Sequence, residues 1–312
     1  MAINTLATAT LFQQTLDKVA IQEAVTGWMD ANAGQVIYNG GAEVKIPKMS
    51  TDGLGDYDRD LGYPQGGVTL EYETRTMTQD RGRKFQLDAM DINENNFVTT
   101  GASVMGEFQR VSVIPEIDAY RISSLITKAI TFDKQVEYGY TAAEGTILRK
   151  IKEGIAVIRD HGYNGPLVIH ATSDAIMELE MALAGKIRAV DFTKGGVSTK
   201  VPAIDEVPII STAKNRMYSA IKIHDGKTEG QKKGGYEKAS DGLDANFIIL
   251  PTSTPIAVTK QDKMKIFDPD ANQDADAWKM NYRRYHDIWV LDNKLDSIFV
   301  NIKDAKPADP SA

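Results

Sequence analysis

The chain has 312 residues, 36 Lys and Arg against 43 Asp and Glu, and a formal net charge of −7. That length predicts two domains or one elaborated domain, and the acidic balance argues against tight, free-standing nucleic-acid binding. Cysteine is missing from the sequence, which excludes disulfide frameworks and thiolate metal sites.

The opening segment, MAINTLATATLFQQTL, has neither the basic nor the long apolar region of a signal peptide. No apolar run of about 18 residues occurs. The expectation is a soluble, non-secreted chain with no membrane span. Leu11, Phe12, Leu16, Val19, Val25 and Trp28 fall close to helical spacing and predict a helix over 10–29, either a surface helix or an arm docking on a neighbour. Glycines at 34, 40 and 41 end it.

Residues 42–78 read as a long hairpin. AEVKIPKM is one strand; GVTLEYETRTMT is the other, with Val68, Leu70 and Tyr72 alternating against Thr69, Glu71 and Glu73. The intervening STDGLGDYDRDLGYPQG is roughly three times longer than an ordinary hairpin loop of two to five residues. A two-stranded ribbon is marginal by itself, so this one needs a surface to lie on. The charged stretch QDRGRK that follows reads as a hinge around Gly82.

A 3.6-residue stripe through Phe97, Val104, Met105, Phe108, Val111, Ile117, Ile122 and Leu125 predicts a long helix over 94–126, kinked at Pro115. Thr141 and Glu144 form a capping-box pattern before a second helix that stops at Gly162. PLVIHA is a buried strand, and Ser173 caps a third helix ending at Gly185. VPIIST, ANFIILP and TPIAVTK are further strands of an α/β block over 136–258. Residues 225–243 read as a mobile Gly- and Lys-rich surface loop. Strands follow at 264–267, 278–291 and 297–303, then a disordered tail at 304–312.

Chemistry is sparse. His161, His170, His224 and His286 show no metal-ligand spacing, and His170 reads as a hydrogen-bonded strand residue. No GxSxG elbow, phosphate loop or GxGxxG occurs. Asp268, Asp270, Asn272, Asp274 and Asp276 alternate like a calcium loop, but Gln273 stands at the turn glycine and Lys279 at the bidentate glutamate. A polar turn is the better reading. Asp52, Asp56, Asp58 and Asp60 form a similar acidic cluster. Neither catalytic residues nor a cofactor or metal site is expected. The rival reading, a metal-dependent hydrolase, lacks its partner residues.

The order of segments, together with IPKMSTDGLGDYDRDLGYPQG, TMTQDRGRKFQLDAMDINE, VMGEFQRVSVIPEIDAYR and YRRYHDIWVLDNK, resembles the major capsid proteins of tailed bacteriophages, the Hong Kong 97 fold. The resemblance implies an α+β chain with an N-terminal arm at 1–40 and an extended loop at 41–80. It implies a peripheral domain with a spine helix at 81–135 and 259–303, and an axial α/β domain at 136–258. It also implies hexamers and pentamers in an icosahedral shell around phage DNA without sequence-specific binding. A virion location, host-cytoplasmic assembly, a separate scaffolding protein and a portal follow from the same resemblance. An encapsulin-like compartment is the alternative within this fold. Some members cross-link a loop lysine, but residues 50–66 hold none, so such cross-linking is not expected. An intersubunit contact is expected between the acidic tip (Asp52, Asp56, Asp58, Asp60) and the basic elbow (Arg81, Arg83, Lys84).

Overall fold

The computed structural model describes residues 24–35, 37–38, 43–60, 62–88, 104–183, 188–194, 197–267, 269–272 and 275–307. A 3-10 helix, Gly27–Gln35, leads into β1 (Ile37–Tyr38), β2 (Glu43–Thr51), β3 (Val68–Thr76) and β4 (Gln79–Asp88). Helix α1 (Ile114–Thr131) and β5 (Val136–Glu137) follow, then α2 (Glu144–Asp160), β6 (Leu167–Thr172) and α3 (Ser173–Leu183). The remaining strands are β7 (Arg188–Lys194), β8 (Val197–Ile204), β9 (Val207–Thr212), β10 (Ile221–Ile223), β11 (Tyr236–Lys238), β12 (Ala245–Pro251), β13 (Ile256–Phe267), β14 (Ala277–Trp289) and β15 (Phe299–Ile302).

The main body has three layers. Its seven-stranded sheet runs β5-β15-β12-β6-β9-β8-β7. Strand alternation sends Val168, Ile210, Ile248, Leu250, Val300 and Ile302 to one face, where Ile122, Leu125, Ile126 and Ala129 of α1 cover them. It sends Ile169, Ile209, Phe247, Ile249 and Phe299 to the other, under α2 and α3. Both faces are therefore buried, and the strands read as continuous apolar runs. Gly154 lets α2 approach: a Cβ there lies 2.7 Å from Phe299 Cδ1 and 2.9 Å from Ile249 Cδ1.

A second sheet, β13-β14-β4, is antiparallel throughout. Met264, Met280 and Tyr282 on it pack against Met105 and Phe108, just ahead of the spine. Residues 104–108 are α-helical, a π-helical turn spans Gln109–Val113, and α1 continues from Ile114. Pro115 lies at the first turn of α1 and does not end the run. Proline lacks an N–H and clashes with the carbonyl four residues back, and the widened turn ahead of it absorbs both defects. The 28 residues of 104–131 span about 42 Å. They run past the expected end at 126 because Ala129 still packs in the core. The expected start, 94–103, lies outside the described residues.

Several expectations need correction. TPIAVTK opens β13 and leaves the α/β block for the second sheet, whereas 297–303 supplies β15 to the seven-stranded sheet, between β5 and β12. Val300 and Phe299 bury opposite faces there, which the two-sided sheet demands and the smaller sheet does not. Residues 225–243 are largely an exposed connection, as expected, but a tied one that includes β11. β10 and β11 pair as a hairpin, and Asp225 ties its turn by accepting from Lys227 N at 2.8 Å, Thr228 N at 2.9 Å and Thr228 Oγ1 at 2.6 Å. Those bonds pull the Asp225 carboxyl down to about 2. The capping box does not form: Ala143 precedes α2 with no side-chain cap. Before α3, the Thr172 hydroxyl, not Ser173, accepts from Ala175 N at 3.4 Å. The helix expected over 10–29 lies outside the described residues up to 23, and its end is 3-10 rather than α. The tail is tied at its start, where Asp304 accepts from Asp244 N at 2.7 Å; 308–312 lie outside the described residues. Gly162, at φ +88°, stops α2 as expected.

The segment 24–35 is clamped to the spine. Buried Asp118 accepts from Thr26 N (3.0 Å), Val25 N (3.2 Å), the Thr26 hydroxyl and Arg216 (2.8 Å). One turn on, Arg121 is 1% exposed; it grips Asp30 at 2.7 and 3.0 Å and the Thr26 carbonyl at 3.0 Å. Trp28 enters the core and donates to His170 Nε2 at 3.3 Å, while His170 Nδ1 faces Thr212 Oγ1 at 3.1 Å. Both imidazole nitrogens are used in the neutral form, and burial holds His170 at about 3.

Two outcomes follow. Gly154→Val should destabilise the subunit by about 1–3 kcal/mol through overpacking on Phe299 and Ile249; urea denaturation of the unassembled chain measures it. His170 takes a proton near 6.5 when unfolded and refuses it when folded, so its contribution is complete above that pH and falls away as acid is added. Between pH 6.5 and 4.5, His170→Gln should flatten the decline in unfolding free energy by about 1.4 kcal/mol per pH unit. An unchanged slope contradicts this placement of His170.

Candidate functional site

Beyond its base, the β2–β3 ribbon leaves the body. Val44 and Ile46, on one side of β2, are buried against Met77, Ile256, Val258 and Trp289. The register then pairs Pro47 with Tyr72, Met49 with Leu70 and Thr51 with Val68. Period-two alternation puts these on the opposite side from Val44 and Ile46. Met49 (65%), Val68 (71%), Leu70 (55%) and Tyr72 (52%) are exposed. The ribbon therefore has an own-body face at its root and an apolar, solvent-facing stripe on its other side.

The tip is folded on itself. Asp52 and Gly67 close its neck, Gly67 N donating to Asp52 Oδ2 at 2.7 Å and Asp52 N to the Gly67 carbonyl at 3.1 Å. Asp58 and Gly62 bridge, with Gly62 at φ +87°, and Asp58 Oδ1 accepts from Asp60 N at 2.7 Å. Tyr57 and Tyr63 meet edge-to-face at 4.9 Å. Leu54 is fully exposed, and Asp52, Asp56, Asp58 and Asp60 lie at the surface.

QDRGRK is not a hinge. It forms β4, paired residue for residue with β14. Gly82 stands opposite Arg283, and a Cβ there lies 2.8 Å from the Tyr282 carbonyl oxygen. The glycine serves close strand approach, not bending. Alternation also divides the basic cluster. Arg81 and Arg83 share a face with Tyr282, Arg284 and His286, while Lys84 lies on the reverse face. Arg81 opposes Arg284 directly, an unfavourable like-charge pair. Carboxylates compensate: Arg81 forks onto Glu116 at 2.7 and 3.2 Å, and Arg284 pairs with Asp262. Arg83 donates to the Lys232 carbonyl at 3.0 Å, tying β4 to the β10–β11 hairpin. On the reverse face Asp80 pairs with Arg283, which pulls the Asp80 carboxyl below its ordinary value.

Between β4, the π-turn of the spine and the β10–β11 hairpin lies a cleft of about 610 Å3. Phe108, Val111 and Pro115 line it, with Arg83, Lys227 and Lys233 and the carboxylates of Glu116, Asp225 and Glu237. His286 also lines it; it is 4% exposed, and its Nδ1 has no hydrogen-bond partner among the described residues. Burial, then the charges of Arg284, Arg121 and Arg81, holds His286 well below its ordinary pKa. The sequence reading missed this cleft because its walls come from residues more than a hundred positions apart and its hairpin looked like a loop.

Of the calcium-like alternation, Asp268 and Asp274 lie outside the described residues. Asn272 is buried and donates to the Ala277 carbonyl at 2.7 Å, as a turn residue does. Among the described residues, no group of three or more His, Asp or Glu is placed to hold a metal ion, and no helix is long and apolar enough to cross a membrane.

No family model matches the sequence, and no curated protein matches it. Solved structures do share its fold. The chain is similar to the mature capsid of bacteriophage PhiM1, with a TM-score of 0.53 and 11% identity over 85% of this chain and 83% of that one. It is similar to the capsid of Ralstonia phage GP4, with a TM-score of 0.52 and 9% identity over 86% and 85%. It is also similar to the capsid of cyanophage P-SCSP1u, with a TM-score of 0.50 and 8% identity over 84% and 83%. With identities this low the likeness is one of fold, and it extends over most of each chain. The spine helix, the two sheets and the projecting ribbon are the α+β, Hong Kong 97-type architecture of phage capsid proteins.

Proposed function

We propose that the chain is the major capsid protein of a tailed phage, a structural subunit that builds an icosahedral shell of hexamers and pentamers around DNA. The observation that carries this reading is the solvent-facing apolar stripe of Met49, Val68, Leu70 and Tyr72 on a ribbon whose opposite side is pinned to its own body. A two-stranded ribbon is marginal alone. Covering four large side chains that are already half-shielded is worth on the order of 4–8 kcal/mol before the costs of association. Neighbouring copies of the chain supply the cover, since a shell places each ribbon over another subunit.

In this reading the β4, β13 and β14 sheet with the spine belongs to the peripheral domain, within 81–135 and 259–303. The seven-stranded sheet belongs to the axial domain, chiefly 136–258, with β15 crossing back into it. Residues 1–40 form the arm and 41–80 the extended loop. The protein acts without catalysis, holds DNA by enclosure rather than by sequence, and works with a separate scaffolding protein and a portal. It assembles in the host cytoplasm and ends in the virion.

Purified full-length chain, with its scaffold where needed, should give closed shells by electron microscopy. Met49→Asp with Leu70→Lys, an opposite-charge pair across the ribbon, should leave the unfolding free energy of the free subunit within about 1 kcal/mol of the parent and reduce shell yield at least about tenfold, since two charges enter a buried contact. Normal shells from that variant contradict the proposed role of the ribbon face. Shells filled with a protein cargo instead of DNA contradict the phage assignment.

A further inference from the structure

On its β3 side the ribbon joins the body through two residues. β3 ends at Thr76 and β4 begins at Gln79, so the ribbon's angle turns on Met77 and Thr78. Two kinds of contact meet there. Met77 packs with Val44, Ile46, Ile256, Val258 and Trp289. Such packing holds the root on the body but is non-directional. Hydrogen bonds are directional, and here they converge on one carboxylate. Asp287 of β14 is 3% exposed. Its Oδ2 accepts from Thr78 N at 2.8 Å and Thr78 Oγ1 at 3.0 Å. Its Oδ1 accepts from the Tyr120 hydroxyl of α1 at 2.6 Å and from Ile288 N at 2.8 Å. Those donors fill the acceptor sites of a carboxylate. Burial, then the Asp287 charge, pushes the Tyr120 phenol up to about 12, so it stays protonated and donates. Beside it, the Tyr285 hydroxyl donates to the Met77 carbonyl at 3.0 Å.

We propose that Asp287, Tyr120 and Thr78 are positioning residues that set the ribbon's angle against the spine in the free subunit, before a neighbour is met. A small error there is large at the far end. The nine residues of β3 rise about 30 Å. A swing of about 10° at Met77–Thr78 therefore carries the ribbon's outer end about 5 Å, as far as one strand lies from the next. Apolar side chains touch only within about 4–4.5 Å, so that swing unseats the stripe of Met49, Val68, Leu70 and Tyr72 from its cover. None of the three positioning residues belongs to the stripe. They act on assembly through the direction they give it, by cutting the ordering cost that a free ribbon carries into the contact. This proposal rests on the shell reading and says what aims the ribbon within it.

The chain lacks cysteine, so spin labels at Glu71→Cys on the ribbon and Met177→Cys on the exposed face of α3 report a single distance. In free subunits of the full chain, pulsed electron resonance should give one narrow distance distribution. Tyr120→Phe with Thr78→Val, which removes two of the donors to Asp287, should widen it at least about twofold. Thr78→Ser, which keeps the hydroxyl, should not. In unlabelled chains Tyr120→Phe with Thr78→Val should cut the share of closed shells of the parent's diameter at least about fivefold, the rest being open sheets and shells of mixed size. Thr78→Ser should assemble as the parent does. An unchanged distance distribution overturns the proposal, as does a parent distribution as wide as the variant's. A widened distribution with shells of parent size and yield overturns the role in assembly. A parent chain that never forms shells overturns the shell reading, and the label distances in the free subunit still decide whether these residues fix the angle. Should the double variant not fold, Tyr120→Phe alone is read in the same way.

Discussion

Beyond its root, one face of the β2–β3 ribbon has no cover among the described residues. Val44 and Ile46 anchor the ribbon's root against Trp289 and Ile256, but from Pro47 outward the apolar residues switch to the other side. Exposed hydrophobics scattered singly need no explanation, whereas a contiguous stripe on a projecting element marks an interaction surface. The rest of the molecule gives that element a fixed direction. β3 leads almost directly into β4, β4 is laddered to β14 over its full length, and β14 is laddered to β13.

That direction is then transmitted to the body by polar contacts buried at the spine. Asp118 and Arg121 lie one turn apart on α1 and hold the 24–35 segment from both sides, with Arg216 completing the Asp118 site. Removing one partner from such a network strands a buried charge and costs about 3–5 kcal/mol, even though an intact buried pair adds little over an apolar replacement. Trp28 extends the clamp into the seven-stranded sheet through His170. Buried polar contacts therefore connect the 24–35 segment, α1 and the seven-stranded sheet.

The sequence showed the ribbon, the spine and the buried strands well, because each carries a strong local period. Val68, Leu70 and Tyr72 alternate, and Ile117, Ile122 and Leu125 keep a helical stripe. His170 also read correctly as a satisfied strand residue. Features set by long-range pairing were harder to see. QDRGRK looked like a hinge because its charges hid a strand that only β14 reveals, and Gly82 looked like a bend when it answers the Tyr282 carbonyl. The β10–β11 hairpin looked like a loop because its strands are three residues long and its turn is held by Asp225 rather than by apolar packing. Pro115 marked the irregular point of the helix but not its form, a π-turn over Gln109–Val113 just ahead of the proline. The cleft beside β4 had no local signal at all.

The central claim is that neighbouring copies cover the ribbon, and hydrogen–deuterium exchange on peptides spanning 43–76 tests it most directly. The outer amides of β2 and β3 should exchange rapidly in the free subunit, because among the described residues no other strand pairs beside β3 and nothing covers the ribbon's apolar face. In assembled shells the same amides should slow by about tenfold or more, while peptides from β6 and β12, buried in both states, stay unchanged. Equal exchange at 43–76 in free subunits and in shells would contradict the account.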